Sequence, residues 1–206
     1  MRRLAAPLFA LAVAISLLLG YHDASTFAPG PWLHNGHFDD STAAWSPAGS
    51  WDGVSFGWSS EDRDGSRVSG SARIAIQAGD SLNAYAVQCR PIPNGASSVT
   101  LSGAIRYPAD SGDSNAWLSG AFYGGGDCTA GYIDTFGVGS VHDPQTGWTD
   151  FTATATVPPN ATSIVVRIGL LAGIGSPALT ANYDNLTLVF DHMPAHHIVA
   201  PSLARD

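Results

Sequence analysis

The stretch Phe151-Thr-Ala-Thr-Ala-Thr-Val157 alternates without interruption, with Phe151, Ala153, Ala155 and Val157 on one side and Thr152, Thr154 and Thr156 on the other. A period of two is the signature of a strand, because successive side chains of an extended chain point to opposite faces. Pro158-Pro159-Asn160 ends the run, and Ser163–Leu171 resumes it with Ile164, Val166, Ile168 and Leu170 on one face. Asn182–Phe190 then aligns Leu186, Leu188 and Phe190. Toward the N-terminus, Ala72–Gln77, Ala84–Cys89, Val99–Tyr107 and Trp117–Tyr123 read as further strands, punctuated by Pro93-Asn94-Gly95 and Gly124-Gly125-Gly126. Outside the apolar N-terminal run no segment sustains a helical period. Strands without interleaved helices pair in antiparallel sheets, and about eight of them make a two-sheet sandwich.

Composition agrees. Charged residues are only 13% of the chain, with 23 Gly and 13 Pro to supply turns. A net charge of −8 excludes nucleic acid as a partner, since phosphates demand a basic footprint. All nine basic residues are Arg, so no lysine is present to hold a phosphate, form a Schiff base or act as a general base.

Met1 to Gly20 reads as an export signal, with Arg2 and Arg3 preceding the uncharged apolar run Leu8–Leu19. The run is shorter than the roughly 20 residues of a membrane span. The expected organisation is a signal peptide over 1–24 (or an N-terminal anchor if uncleaved), a linker over 25–31, one sandwich domain over 32–190 and a flexible tail over 191–206. The protein is thus expected to be secreted, periplasmic or at the cell surface, touching a membrane only if the N-terminal segment is kept. Cys89 and Cys128 suit an oxidising compartment, where one disulfide would close a loop of about 40 residues; two buried free thiols are the alternative. Residues 39–70, with Trp45, Trp51, Trp58 and the acidic run Glu61-Asp62-Arg63-Asp64-Gly65, read as long loops where function can sit.

Several segments, taken in order, resemble one family. NGHFDDSTAAW (Asn35–Trp45) is similar to the opening of carbohydrate-binding modules of the family 4, 9 and 22 type. SARIAIQ and AVQCRPIPNGASSVTLSGAIRY resemble that group's paired strands. TGWTDFTATATVPPNATSIVVRIGLL followed by ANYDNLTL resembles its last three. The resemblance runs over about 32–190 and implies a jelly-roll sandwich that recognises a glycan or polysaccharide. It also implies one structural calcium ion, for which the matching acids are Asp39 and Asp184. Calcium takes six to eight oxygens, which two strand ends and a loop can supply. A turn-capping Asp39 and a solvated Asp184 are the alternative.

Alternation suggests a ligand face. If Ile74, Ile76, Leu101, Ile105, Leu118 and Phe122 face the core, then Arg73, Gln77, Arg106, Trp117 and Tyr123 face away from it. Gln88 joins them if Tyr85, Val87 and Cys89 point inward, and Arg167 joins if Ile164, Val166 and Ile168 do. Indoles stack on the C–H side of sugar rings, while planar amides and guanidinia match vicinal hydroxyls. The expected ligand residues are therefore Trp117, Arg106, Gln88, Arg167 and Tyr123. A second aromatic beside Trp117 is not evident, although Trp51 or Trp58 could reach over from the loops.

Catalysis finds little support in the residues. Glycoside hydrolysis needs two carboxylates, one with a raised pKa, and Glu61 lies in a charged loop. His34 and His37, spaced for a helix, and the pair His196-His197 are incidental rather than zinc ligands. Asn160-Ala-Thr and Asn185-Leu-Thr match the glycosylation sequon, which matters only in a eukaryotic host. The expectation is a non-catalytic glycan-binding protein, against a structural or adhesive surface protein making protein contacts, or a polysaccharide-cleaving enzyme.

Overall fold

The computed structural model describes residues 32–49, 51–79, 82–108 and 114–192. The expected signal peptide and linker, and His196 and His197 in the expected tail, lie outside them. The described residues form ten strands and no helix: β1 (Ser46–Gly49), β2 (Val54–Ser59), β3 (Ser71–Ile76), β4 (Leu82–Pro91), β5 (Ala96–Arg106), β6 (Asn115–Tyr123), β7 (Tyr132–Val141), β8 (Thr149–Thr156), β9 (Ser163–Ala172) and β10 (Leu179–His192). They build two five-stranded antiparallel sheets. Sheet one runs β1-β4-β9-β6-β7 and sheet two runs β2-β3-β10-β5-β8. The architecture is the expected jelly-roll sandwich.

The core lies between the sheets. Ile164, Val166, Ile168 and Leu170 of β9 and Leu118 of β6 oppose Ile74, Leu101, Ile105 and Leu188 of sheet two, all essentially inaccessible to solvent. Each such side chain contributes about 1.5–3 kcal/mol through removal from water. The strands with clear alternation became the inner strands β3, β4, β5, β6, β9 and β10 and the edge strand β8. In β8, Phe151, Ala153 and Ala155 are half-buried and the threonines between them exposed.

Three strands went unread. β1 and β2 arise inside the stretch expected to be loops, and β7 follows the Gly-Gly-Gly turn. All three are edge strands. An edge strand has one partner and weaker burial, so its pattern is diluted; β1 even contains Pro47, which an edge tolerates. The register of β7 against β6 slips twice, breaking the period that sequence reading depends on.

A bulge in β10 matters for the site at this end. Leu179, Ala181 and Tyr183 point inward before it, and Leu186, Leu188 and Phe190 after it. The change of parity occurs where the register to β5 shifts between Asp184 and Thr187, with Asn185 in the left-handed region at φ 52°. The Asn35–Phe38 segment packs there. The Leu186 N–H donates to the Gly36 carbonyl at 2.9 Å. A Cβ on Gly36 would lie 2.1 Å from the Leu186 carbonyl oxygen, so only glycine permits this approach. Asn35 Nδ2 donates to the Ser41 carbonyl, and Phe38 is wholly buried against Trp45. The Asn-Gly-x-Phe motif is therefore a structural lock between chain entry and the last strand.

Candidate functional site

Sheet one presents an outward face built from every second residue of its strands. On β6 these are Trp117, Ser119 and Tyr123; on β9, Arg167 and Gly169; on β4, Tyr85, Val87 and Cys89. Register sets them in rows across the strands. Tyr85, Gly169 and Trp117 form one row, and Val87, Arg167 and Ser119 the next. Gly169 leaves the space that the indole fills: a Cβ there would meet Trp117 Cζ2 at 2.1 Å. The Tyr85 and Trp117 rings come within 6.0 Å, tilted by 44°. Arg167 Nη2 donates to the Tyr123 hydroxyl at 2.9 Å, and Tyr123 packs edge-on to Tyr132 with centroids 5.8 Å apart. The result is an open face with two half-buried aromatic rings, a guanidinium and a phenol hydroxyl.

A disulfide between Cys89 and Cys128 bounds this face. It ties the β6–β7 loop to β4, and the loop is held again where Thr162 Oγ1 donates to the Gly124 carbonyl and Ser163 Oγ to that of Gly125. Val165, paired with Cys89 and outward by register, is consequently buried.

Three of the five expected ligand residues, Trp117, Tyr123 and Arg167, share this face. Gln88 does not, because the inward residues of β4 are Ala84, Ala86 and Gln88. The Gln88 amide is buried, accepting from His34 N at 2.7 Å and donating to the His34 carbonyl at 2.8 Å. It pairs with backbone as a strand would, which explains a polar group facing in. Arg106 lies on sheet two and forms an ion pair with Glu61, beside the Asn182 amide, which also donates to Glu61. Alternation tells which way a side chain points along its strand but not which sheet the strand joins. Arg73 and Gln77 go to sheet two for the same reason. The second aromatic is Tyr85, expected inward; Trp51 instead packs on Phe56, and Trp58 donates to the Phe38 carbonyl at 2.7 Å. Its sequence signal was Ala84 and Ala86 flanking Tyr85, small residues suited to the crowded inner side.

Of the expected calcium pair, Asp184 sits at the β10 bulge, and Asp39 follows the Asn35–Phe38 segment that packs there. Asp184 is buried, accepting from Arg63 N at 2.9 Å and Asn185 N at 2.7 Å. Asp39 is exposed, next to the segment that His37 Nδ1 joins to Asn185 Oδ1 at 2.8 Å. A buried carboxylate without a salt bridge suits a hard cation. The carbonyls of Asn35, Gly36 and Phe38, however, already accept hydrogen bonds from Trp45, Leu186 and Trp58. Among the described residues no three His, Cys, Asp or Glu side chains are grouped to hold a metal. The surrounding acids also brace the Glu61–Gly65 loop. Ser69 and the backbone of Ser66 and Asp64 hold Asp62 below its usual pKa, and Arg63 does the same for Asp150 through a 2.5 Å contact.

Burial raises the Asp184 pKa to about 6, opposed by the Arg63 and Asn185 N–H groups and helped by the charge of Asp62. The unfolded value is near 4, so the folded state binds this proton more tightly, and its contribution to stability falls as pH rises from about 4 to about 6. In chelator-containing buffer, Asp184→Asn is expected to flatten that fall in a plot of Tm against pH. An identical slope in both proteins would assign the titration to another group.

No protein-family model and no curated protein matches the sequence. Solved structures do. The enzymatically active domain of bacteriophage CBA120 tailspike protein 4 aligns over 78% of this chain with a TM-score of 0.61 and 13% identity, the match spanning 21% of that chain. A family 4 carbohydrate-binding module aligns over 77% of this chain and 99% of its own, with a TM-score of 0.50 and 20% identity. The C-terminal family 22 carbohydrate-binding module of Clostridium thermocellum Xyn10B aligns over 79% and 94%, with a TM-score of 0.50 and 16% identity. At these identities the likeness is one of fold. With ten strands in two antiparallel sheets among its described residues, the chain has the jelly-roll β-sandwich fold of carbohydrate-binding modules.

Proposed function

We propose that the protein is a secreted, non-catalytic glycan-binding protein that takes its ligand on the outward face of sheet one. The observation that carries this reading is the Tyr85–Gly169–Trp117 row, in which a glycine on the middle strand lets two aromatic rings approach on an open face. Such rings stack on the apolar C–H side of a pyranose, and Arg167 and Ser119 stand one row away, with the Tyr123 hydroxyl against Arg167, to meet its hydroxyls. The disulfide fits a protein of an oxidising compartment. Among the described residues no helix is long and apolar enough to cross a membrane.

The test is affinity electrophoresis of the purified protein through gels containing different polysaccharides. Retardation by at least one polymer, lost in Trp117→Ala, is expected. Uniform mobility of a folded protein in every gel would favour the adhesive alternative, and new reducing ends or unsaturated products would establish an enzyme. Calcium bound through Asp39 and Asp184 is part of the proposal. It predicts a higher Tm in millimolar calcium than in chelator, and equal Tm values would remove the ion from it.

A further inference from the structure

Charge is distributed unevenly between the two sheets. β1, β4, β9 and β6 contain no Asp or Glu, and the one acid of sheet one, Asp134, lies on the edge strand with its carboxylate on Thr135 N. This is unexpected in a chain with a net charge of −8. The ion pairs of the described residues, Arg63 with Asp64 and Asp150 and Arg106 with Glu61, all involve the other sheet or the loop covering it. Arg167 stands on β9, the middle strand of sheet one, half-buried and held through Nη2 by the Tyr123 hydroxyl. Its Nε and Nη1 donors have no hydrogen-bond partner among the described residues.

A half-buried guanidinium costs less when an anion faces it, and its planar fork matches a carboxylate with two parallel hydrogen bonds. We infer that the glycan taken by this face is acidic, with the carboxylate of a uronic acid seated on Arg167 while its ring, or the next one, lies against Trp117 and Tyr85. This rests on the glycan-binding reading and narrows it. The protein's overall negative charge repels polyanions, so retention by one reports a local contact rather than bulk attraction.

The experiment uses the whole protein and matched pairs of polymers in affinity gels: polygalacturonate, alginate and glucuronoxylan, each beside its carboxyl-reduced form. Binding at least 10-fold stronger to the carboxylated member of one pair is expected. Arg167→Gln should bring that binding down to the level of the reduced polymer. Ser119→Glu places a carboxylate at the position paired with Arg167 and should act the same way without removing the guanidinium. Both variants need an unchanged melting curve. Equal binding within every pair, or retention by neutral polymers alone, would overturn the acidic ligand and leave glycan binding standing. Retention by no polymer, neutral or acidic, would overturn both.

Discussion

Gly169→Val is expected to abolish retention of the protein by its polysaccharide as completely as Trp117→Ala does. A Cβ at position 169 would sit 2.1 Å from Trp117 Cζ2 and 2.2 Å from Cε2, well inside contact distance. The indole must then swing away from β9 and lose its approach to Tyr85. Removing an aromatic anchor from the centre of a binding surface costs roughly 2 kcal/mol or more, about 30-fold in affinity. The fold should survive, because the new side chain points outward and valine suits a strand better than glycine does. The buried bond from the Tyr183 hydroxyl to the Gly169 carbonyl, 2.5 Å long, uses the backbone and is kept. Gel retention alongside a thermal melt checks both halves. Unchanged retention by the folded variant would mean that the aromatic row is not the ligand platform.

Replacing both Cys89 and Cys128 by serine is expected to lower stability by about 3–4 kcal/mol, the loop-closure entropy of a cross-link spanning 39 residues. For a domain of this size that is a fall in Tm of about 10 °C. The bridge also fastens the β6–β7 loop along the binding face, so the variant should bind its polymer more weakly even where it is fully folded. Urea unfolding and gel retention separate the two effects. A loss below about 1 kcal/mol would mean that the Thr162 and Ser163 hydrogen bonds to Gly124 and Gly125 hold the loop without the bridge.

How much of this was legible in the chain depended on burial. β8, β9 and the second half of β10 could be read because each buries one face and lets the other meet water or a different environment, which imposes a period of two on the residues. β1, β2 and β7 lie at sheet edges, where half the constraint is gone, and their sequences carry too little pattern to announce a strand. β4 misled for another reason. Its larger residues Tyr85 and Val87 point out and its alanines point in, the reverse of what hydrophobicity suggests. At Gln88 the inner side of β4 meets the entering chain, whose His34 backbone the amide binds.

Local sequence therefore determined the class of fold, the side of the strand on which Trp117, Tyr123 and Arg167 lie, and the pairing options of two cysteines, because these follow from alternation and residue chemistry alone. Only the tertiary structure decided which strands become neighbours. It put Arg106 against Glu61 on the far sheet, brought Tyr85 from β4 to Trp117 on β6 across Gly169 of β9, and left Arg167 without a carboxylate. Strand order joins residues distant in the chain through hydrogen bonds that any backbone can make, so no local pattern of side chains encodes it.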